Sequence, residues 1–169
     1  DVYLIVKEPV NISILDRATS GLYITTPEVS AESAKVCGRI LLNNTLAEKT
    51  KVDVDYEVYG PDGEKVCGVT KKYKLDPSSA NVEFSEEFVV ASPKLWSPDT
   101  PQLYTLKTVV RNPKTGEIYD QLSEHFGLRW YGFDPDKGFM LNGEYLKLVG
   151  TNRHQCFKDK GWALDDSYH

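Results

Sequence analysis

No apolar run in this sequence approaches the roughly 20 residues needed to cross a bilayer, and no charged-then-apolar leader opens it. A membrane partner is therefore not expected. Cysteine is scarce and odd in number: Cys37, Cys67 and Cys156 form no CxxC pair, so complete pairing and a thiolate metal cluster are both excluded. All three read as free thiols, and an oxidising compartment is not inferred. Positive charge is not in excess either, since 20 Lys and Arg face 25 Asp and Glu for a net charge of −5. Nucleic acid is excluded as a partner on that ground. Lys71, Lys72 and Lys74 do cluster, but their place along a strand reads as a solvated face. Before Trp162 no stretch carries a convincing 3.6-residue period, so helices contribute little.

What is present is a series of short strands separated by Pro, Gly and Asn. Val2 to Val6 reads as a strand at a cut start, followed by Val10 to Ile14, Leu22 to Thr26, and a strand in which Val36, Gly38, Ile40 and Leu42 share one parity before Asn43-Asn44. Val52, Val54, Tyr56 and Val58 alternate with Lys51, Asp53, Asp55 and Glu57, which predicts one buried face and one wet one. Gly60-Pro61-Asp62-Gly63 supplies a hairpin turn into Glu64 to Tyr73. Val82, Phe84, Phe88 and Val90 share a parity that Glu86 interrupts, which predicts a bulge or an edge position. Leu103 to Val110 and Glu117 to Phe126 close a last hairpin around Asn112 to Gly116. The fold class is all-β, an immunoglobulin-like antiparallel β-sandwich, although Cys37 and Cys67 are too close in sequence to be the inter-sheet pair of a true immunoglobulin domain. Beyond Arg129 the character shifts to a polar loop at Phe133 to Gly138, an Asn142-Gly143 hairpin, and an Asp165-Asp166-Ser167 helix cap.

Three phrases are more specific: Leu95-Trp96-Ser97-Pro98-Asp99-Thr100-Pro101-Gln102-Leu103-Tyr104, Phe126-Gly127-Leu128-Arg129, and Leu141-Asn142-Gly143 running through Gly150-Thr151-Asn152-Arg153-His154. In this order they resemble glycoside hydrolase family 2, the family of the large β-galactosidases, β-glucuronidases and β-mannosidases. Asp1-Val2-Tyr3-Leu4 and Tyr23-Ile24-Thr25-Thr26-Pro27 resemble its bacterial β-galactosidase-type members. The resemblance implies three parts here: residues 1–9 as the end of a preceding jelly-roll domain or a linking strand, 10–133 as the sandwich, and 134–169 as the leading hairpin and first strand of a truncated (β/α)₈ barrel. It implies a retaining β-galactosidase parent in carbohydrate metabolism, with a β-glucuronidase or β-mannosidase parent, or a free-standing carbohydrate-binding or adhesion sandwich, as alternatives. The last would need an exposed row of aromatics, whereas the outward parities carry mainly Lys, Asp and Glu. The compartment stays open between bacterial cytoplasm and periplasm.

Retaining hydrolysis uses two carboxyl groups about 5–5.5 Å apart. The resemblance implies that both lie beyond His169, so no catalytic residue is expected here, and Glu86, Glu87 and Glu117 read as solvated surface groups. It implies substrate-binding roles in the parent for His154 and Asn152, at the C-terminal end of the first barrel strand, where barrel enzymes build their sites. Read alone, a histidine after a strand is an ordinary loop residue. No metal site or cofactor is expected in this stretch, and a divalent or monovalent ion in the parent is left open. Trp96 reads as a plug at the end of the sandwich, and Tyr104 as the buried start of a strand. Arg129 is expected to satisfy a carboxylate or carbonyls, and Trp130, Tyr131 and Trp162 to pack at a domain junction. The expected partners are the remaining domains of the same chain, a β-linked sugar in the parent, and a second copy through the C-terminal strand, whose segment from Phe139 would otherwise fold back near Trp130 and Tyr131. The sequons at Asn11 and Asn43 read as coincidence.

Overall fold

Eleven strands run along the chain in the computed structural model, which describes residues 4–168. They are β1 (Val10–Ile12), β2 (Leu22–Val29), β3 (Ser33–Asn44), β4 (Thr50–Tyr59), β5 (Lys65–Leu75), β6 (Ser79–Ala91), β7 (Tyr104–Arg111), β8 (Ile118–Phe126), β9 (Tyr131–Asp134), β10 (Gly138–Leu141) and β11 (Glu144–Tyr145). One four-stranded sheet centres on β3, which pairs with β1 and β2 along one edge and with β6 along the other. The second runs β5-β4-β7-β8, and all pairings are antiparallel. The chain therefore changes sheet between β3 and β4, again between β5 and β6, and again between β6 and β7. That is a Greek-key sandwich of the immunoglobulin-like class.

The alternation of β4 is what seats the core. Val52, Val54, Tyr56 and Val58 are fully buried, facing Val36, Ile40, Leu42 and Phe88 of the other sheet. Each such side chain removed from water contributes about 1.5–3 kcal/mol. Both anticipated hairpins form, with the Gly63 amide donating to Gly60 O at 2.9 Å and the Gly116 amide to Asn112 O at 2.9 Å. In β2 the register slips between Thr25 and Glu28, around Pro27, which has no N–H to give a ladder.

Three expectations change. The strand expected at Val2 to Val6 begins outside the described residues, and Leu4 to Val6 are exposed and in no strand. Glu86 does lie on an edge strand, but without a bulge, and it is not a solvated surface group. Its carboxylate accepts the Tyr73 hydroxyl at 3.0 Å and pairs with Lys71 at 3.0 Å, bridging β6 to β5 where the two sheets meet at their edges. Lys71 consequently belongs to the inward parity with Val69 and Tyr73, so only Lys72 and Lys74 occupy the wet face. Buried side chains also account for both sequons: Asn11 donates to Glu8 O at 2.7 Å and Asn43 to Asn11 Oδ1 at 3.1 Å, leaving neither amide free for a glycan.

Candidate functional site at the sandwich end

The first two sequence phrases and the Leu141-Asn142-Gly143 start of the third converge at one end of the sandwich. Trp96 donates its amide to Leu128 O at 2.8 Å, and Leu128 is fully buried beneath it. Gly127 lies against the indole: a Cβ there would come within 3.0 Å of the Trp96 side chain, so only glycine lets the ring sit flat on the chain. Arg129 was expected to hold a carboxylate or carbonyls, but its guanidinium instead lies 4.7 Å from the Trp96 ring centre, a cation–π arrangement. Tyr104, 3% exposed, accepts the Lys94 amide at 2.8 Å through its hydroxyl.

Asn142 joins the third phrase to the first two. The β10–β11 turn needs left-handed backbone at both central residues, and Asn142 (φ 52°) and Gly143 (φ 84°) supply it. From that position Asn142 donates its backbone amide to Trp130 O at 2.9 Å and its side-chain amide to Trp96 O at 3.0 Å, and its Oδ1 accepts the Trp130 amide at 3.2 Å. The result is a third sheet, β9-β10-β11, tied to the sandwich end. The polar loop expected over Phe133 to Gly138 narrows to residues 135–137, because Tyr131–Asp134 finds β10 as partner and is a strand.

Between the two parts lies a groove of about 330 Å³, lined by Trp96, Arg129, Tyr131, Phe139, Leu146 and Leu148 among others. Residues 139–148 thus fold beside Trp130 and Tyr131, and the described chain beyond them does not. Tyr131, Phe133 and Phe139 form an aromatic cluster with ring centres 5.5 to 6.5 Å apart, and Tyr131 and Phe133 are largely exposed. Past Tyr145 the chain has only an antiparallel bridge between Phe157 and Gly161 before the 3₁₀ turn Asp166–Tyr168, where Asp165 Oδ1 accepts the Ser167 amide at 3.2 Å as a cap would. Leu148 and Val149, expected in a barrel strand, are exposed and unpaired in any ladder, and Trp162 is exposed rather than packed.

Asn152 and His154 lie in this exposed segment, two residues apart, away from the groove lining. The structure brings neither of them to a pair of carboxylates. What this end of the sandwich offers is apolar and aromatic surface with the Arg129 guanidinium stacked on Trp96. Cys37 and Cys67 are free thiols partly inside the sandwich, burial pushing the Cys67 thiol up, and Cys156 is exposed. Among the described residues no group of three or more His, Cys, Asp or Glu side chains is placed to hold a metal ion.

Gly127→Val should lower stability by about 1–3 kcal/mol by driving the Trp96 ring off the chain. Thermal melting followed through tryptophan fluorescence reads both effects, and an unchanged melt with unchanged emission would contradict this contact.

The family model for glycosyl hydrolases family 2 matches residues 20–129. A β-glucuronidase of Bacteroides fragilis is 34% identical over 171 residues, covering 100% of this chain and 24% of that protein. A β-galactosidase of Bacteroides ovatus is 32% identical over 146 residues, covering 86% of this chain and 17% of that protein. The solved Bacteroides uniformis β-glucuronidase 2 covalently bound to cyclophellitol-6-carboxylate aziridine superposes with a TM-score of 0.88 at 37% identity, over 95% of this chain and 19% of that one. The chain spans about a quarter or less of the length of these relatives. The three converging phrases and the match over the body of the sandwich lead to one assignment: this chain belongs to glycosyl hydrolases family 2.

Proposed function

We propose that this chain is the non-catalytic sandwich of a longer retaining β-glycosidase, and that the longer protein is a β-glucuronidase. The observation that carries the first half is the junction itself: an apolar groove beside exposed Tyr131 and Phe133, tied rigidly to the sandwich through Asn142. Such a surface positions a catalytic domain rather than performing chemistry. The second half rests on the likeness over the whole chain to the Bacteroides fragilis β-glucuronidase, and on the Bacteroides uniformis enzyme, which is held covalently by a carboxylate-bearing inhibitor. A β-galactosidase parent is the second reading, favoured by the Bacteroides ovatus relative. In either parent, Asn152 and His154 are proposed to leave their exposed positions here and contact the sugar at the mouth of the following domain.

The full-length protein, assayed with matched aryl β-glucuronide and aryl β-galactoside, should favour the glucuronide by at least roughly 100-fold in kcat/KM, because a site built for a carboxylate leaves buried polar groups unpaired with an analogue lacking it. The reverse ratio would assign the parent to the β-galactosidases.

A further inference from the structure

In a chain of net charge −5, several lysines gather on one face among the described residues. Two adjoining hollows of about 320 and 370 Å³, the first between the β3–β4 loop and the β7–β8 turn and the second on the outer face of β4 and β5, share Lys51, Pro113 and Lys114. Lys49 lines the first and Lys72 and Lys74 the second, while the carboxylates among their walls are Glu48 and Asp53. Lys51 and Lys74 are direct partners across the β4–β5 ladder, so two like charges stand opposite each other on an exposed face. That arrangement is destabilising and would vanish on changing either residue. Other cations hold a carboxylate, Lys35, Arg39, Lys65, Lys71, Lys94 and Arg111 among them, and in the first hollow Lys49 pairs with Asp76 at 3.1 Å, while Lys72 stands opposite Asp53 across the ladder. Among the described residues Lys51, Lys72, Lys74 and Lys114 hold none within ion-pair distance.

The floor has a matching character. Val52 and Tyr73 belong to the inward parity, so the side chains of the second hollow that stand outward are the lysines, Asp53 and the Pro113 ring. Aliphatic stems beneath charged heads suit a ligand with apolar C–H faces and regularly spaced negative charges. The β7–β8 turn holds its side of the groove in place, with Asn112 donating to the Tyr119 hydroxyl at 2.8 Å and accepting the Lys114 amide at 2.9 Å. The geometry points to an accessory binding groove for an acidic oligosaccharide, a chain of uronate-type sugars, on the face of the sandwich formed by β4, β5 and the β7–β8 turn. This assignment rests on the reading of the parent as an enzyme of uronosides and adds a place to hold the polymer apart from the bond that is cut.

Titration calorimetry of the chain with an oligogalacturonate at low ionic strength tests it, with a neutral maltooligosaccharide and a single-stranded DNA oligomer of equal length as comparisons. Saturable binding of the oligogalacturonate alone is expected, weakening as salt screens the charges. Lys51→Glu should weaken binding about tenfold while leaving the melting temperature unchanged or raised, since it turns a like-charge pair with Lys74 into an opposite one. Lys114→Glu should weaken binding comparably, and Lys137→Glu, in the distant β9–β10 turn, should not. No binding, equal binding of the neutral sugar, tighter binding of DNA, or affinity indifferent to Lys51→Glu would each overturn the proposal. Hydrolysis of a small aryl glucuronide by the full-length protein is independent of this groove, so failure here leaves the glucuronidase reading standing, and failure of that reading shows in turnover instead.

Discussion

Incubated with an aryl β-glucuronide or β-galactoside, the isolated 169-residue chain is expected to release no aglycone above a heat-denatured control. Retaining hydrolysis needs a proton donor on the leaving oxygen and a carboxylate nucleophile about 5–5.5 Å away, the donor being kept protonated by an environment that raises its pKa. Several carboxylates here are instead tied to cations or hydroxyls. Glu83 is held by Arg39, Glu87 by Lys35, and Glu86 by Lys71 and Tyr73. Hydrogen bonds from Lys65 and then Tyr59 hold Glu57 below the usual carboxylate range, and a hydrogen bond from Lys94 does the same for Asp62. Glu57 and Asp62, stabilised as anions by neighbouring donors, make poor acids. Turnover that survives repurification and follows the chain through a sizing column would mean that a working carboxylate pair exists in it.

The same carboxylates show how far the sequence could be read. Period-two alternation found nearly every strand of the sandwich, because one face of each is in the core and one is not; β4 is the clearest case, with Val52, Val54, Tyr56 and Val58 all fully buried. Glu86 was misread for a physical reason. A charge on the inward parity breaks the pattern, and what makes it tolerable is a lysine and a tyrosine on β5, a strand of the other sheet, whose approach no local period encodes. Tyr131–Asp134 was missed in the same way: a four-residue strand next to Pro135 has no signal of its own until β10 lies beside it. The phrases around Trp96, Gly127 and Asn142 were legible as a set, but their purpose was not. Only in three dimensions does Asn142 become the link between Trp96 and Trp130, and Arg129 a lid on an indole rather than a partner for a carboxylate. The lysine groove was hidden for the opposite reason: Lys51, Lys74 and Lys114 come from three separate stretches, and only strand register places them together.

Tyr56→Ala should be the most damaging single substitution of the sandwich, lowering stability by about 4 kcal/mol, or roughly a thousand-fold in the folding equilibrium. The ring is fully buried at the centre of β4, 6.1 Å from that of Phe88 across the sandwich, and the neighbouring strands are held by ladders that cannot collapse into the space. Against the 5–15 kcal/mol typical of a domain, such a loss leaves a chain that melts roughly 10 °C lower or does not fold. Tyr56→Phe separates volume from polarity, since it keeps the ring and removes only the hydroxyl that meets Tyr73 at 3.5 Å; it should cost about 1 kcal/mol or less. The hydroxyls give a second readout. Burial pushes the Tyr73 phenol up to about 12, with the hydrogen bond to Glu86 adding to the rise, and burial pushes Tyr56 further still. A phenol whose folded pKa lies above its unfolded value contributes stability that is complete below about pH 10 and is lost as pH climbs through the folded value near 12. Absorbance of tyrosinate should therefore rise in two parts in an alkaline titration, the exposed phenols first and the buried pair only as circular dichroism shows the sandwich coming apart. Ionisation of every tyrosine near pH 10 with the fold intact would place Tyr56 and Tyr73 in water and remove the polar bridge from the sandwich edge.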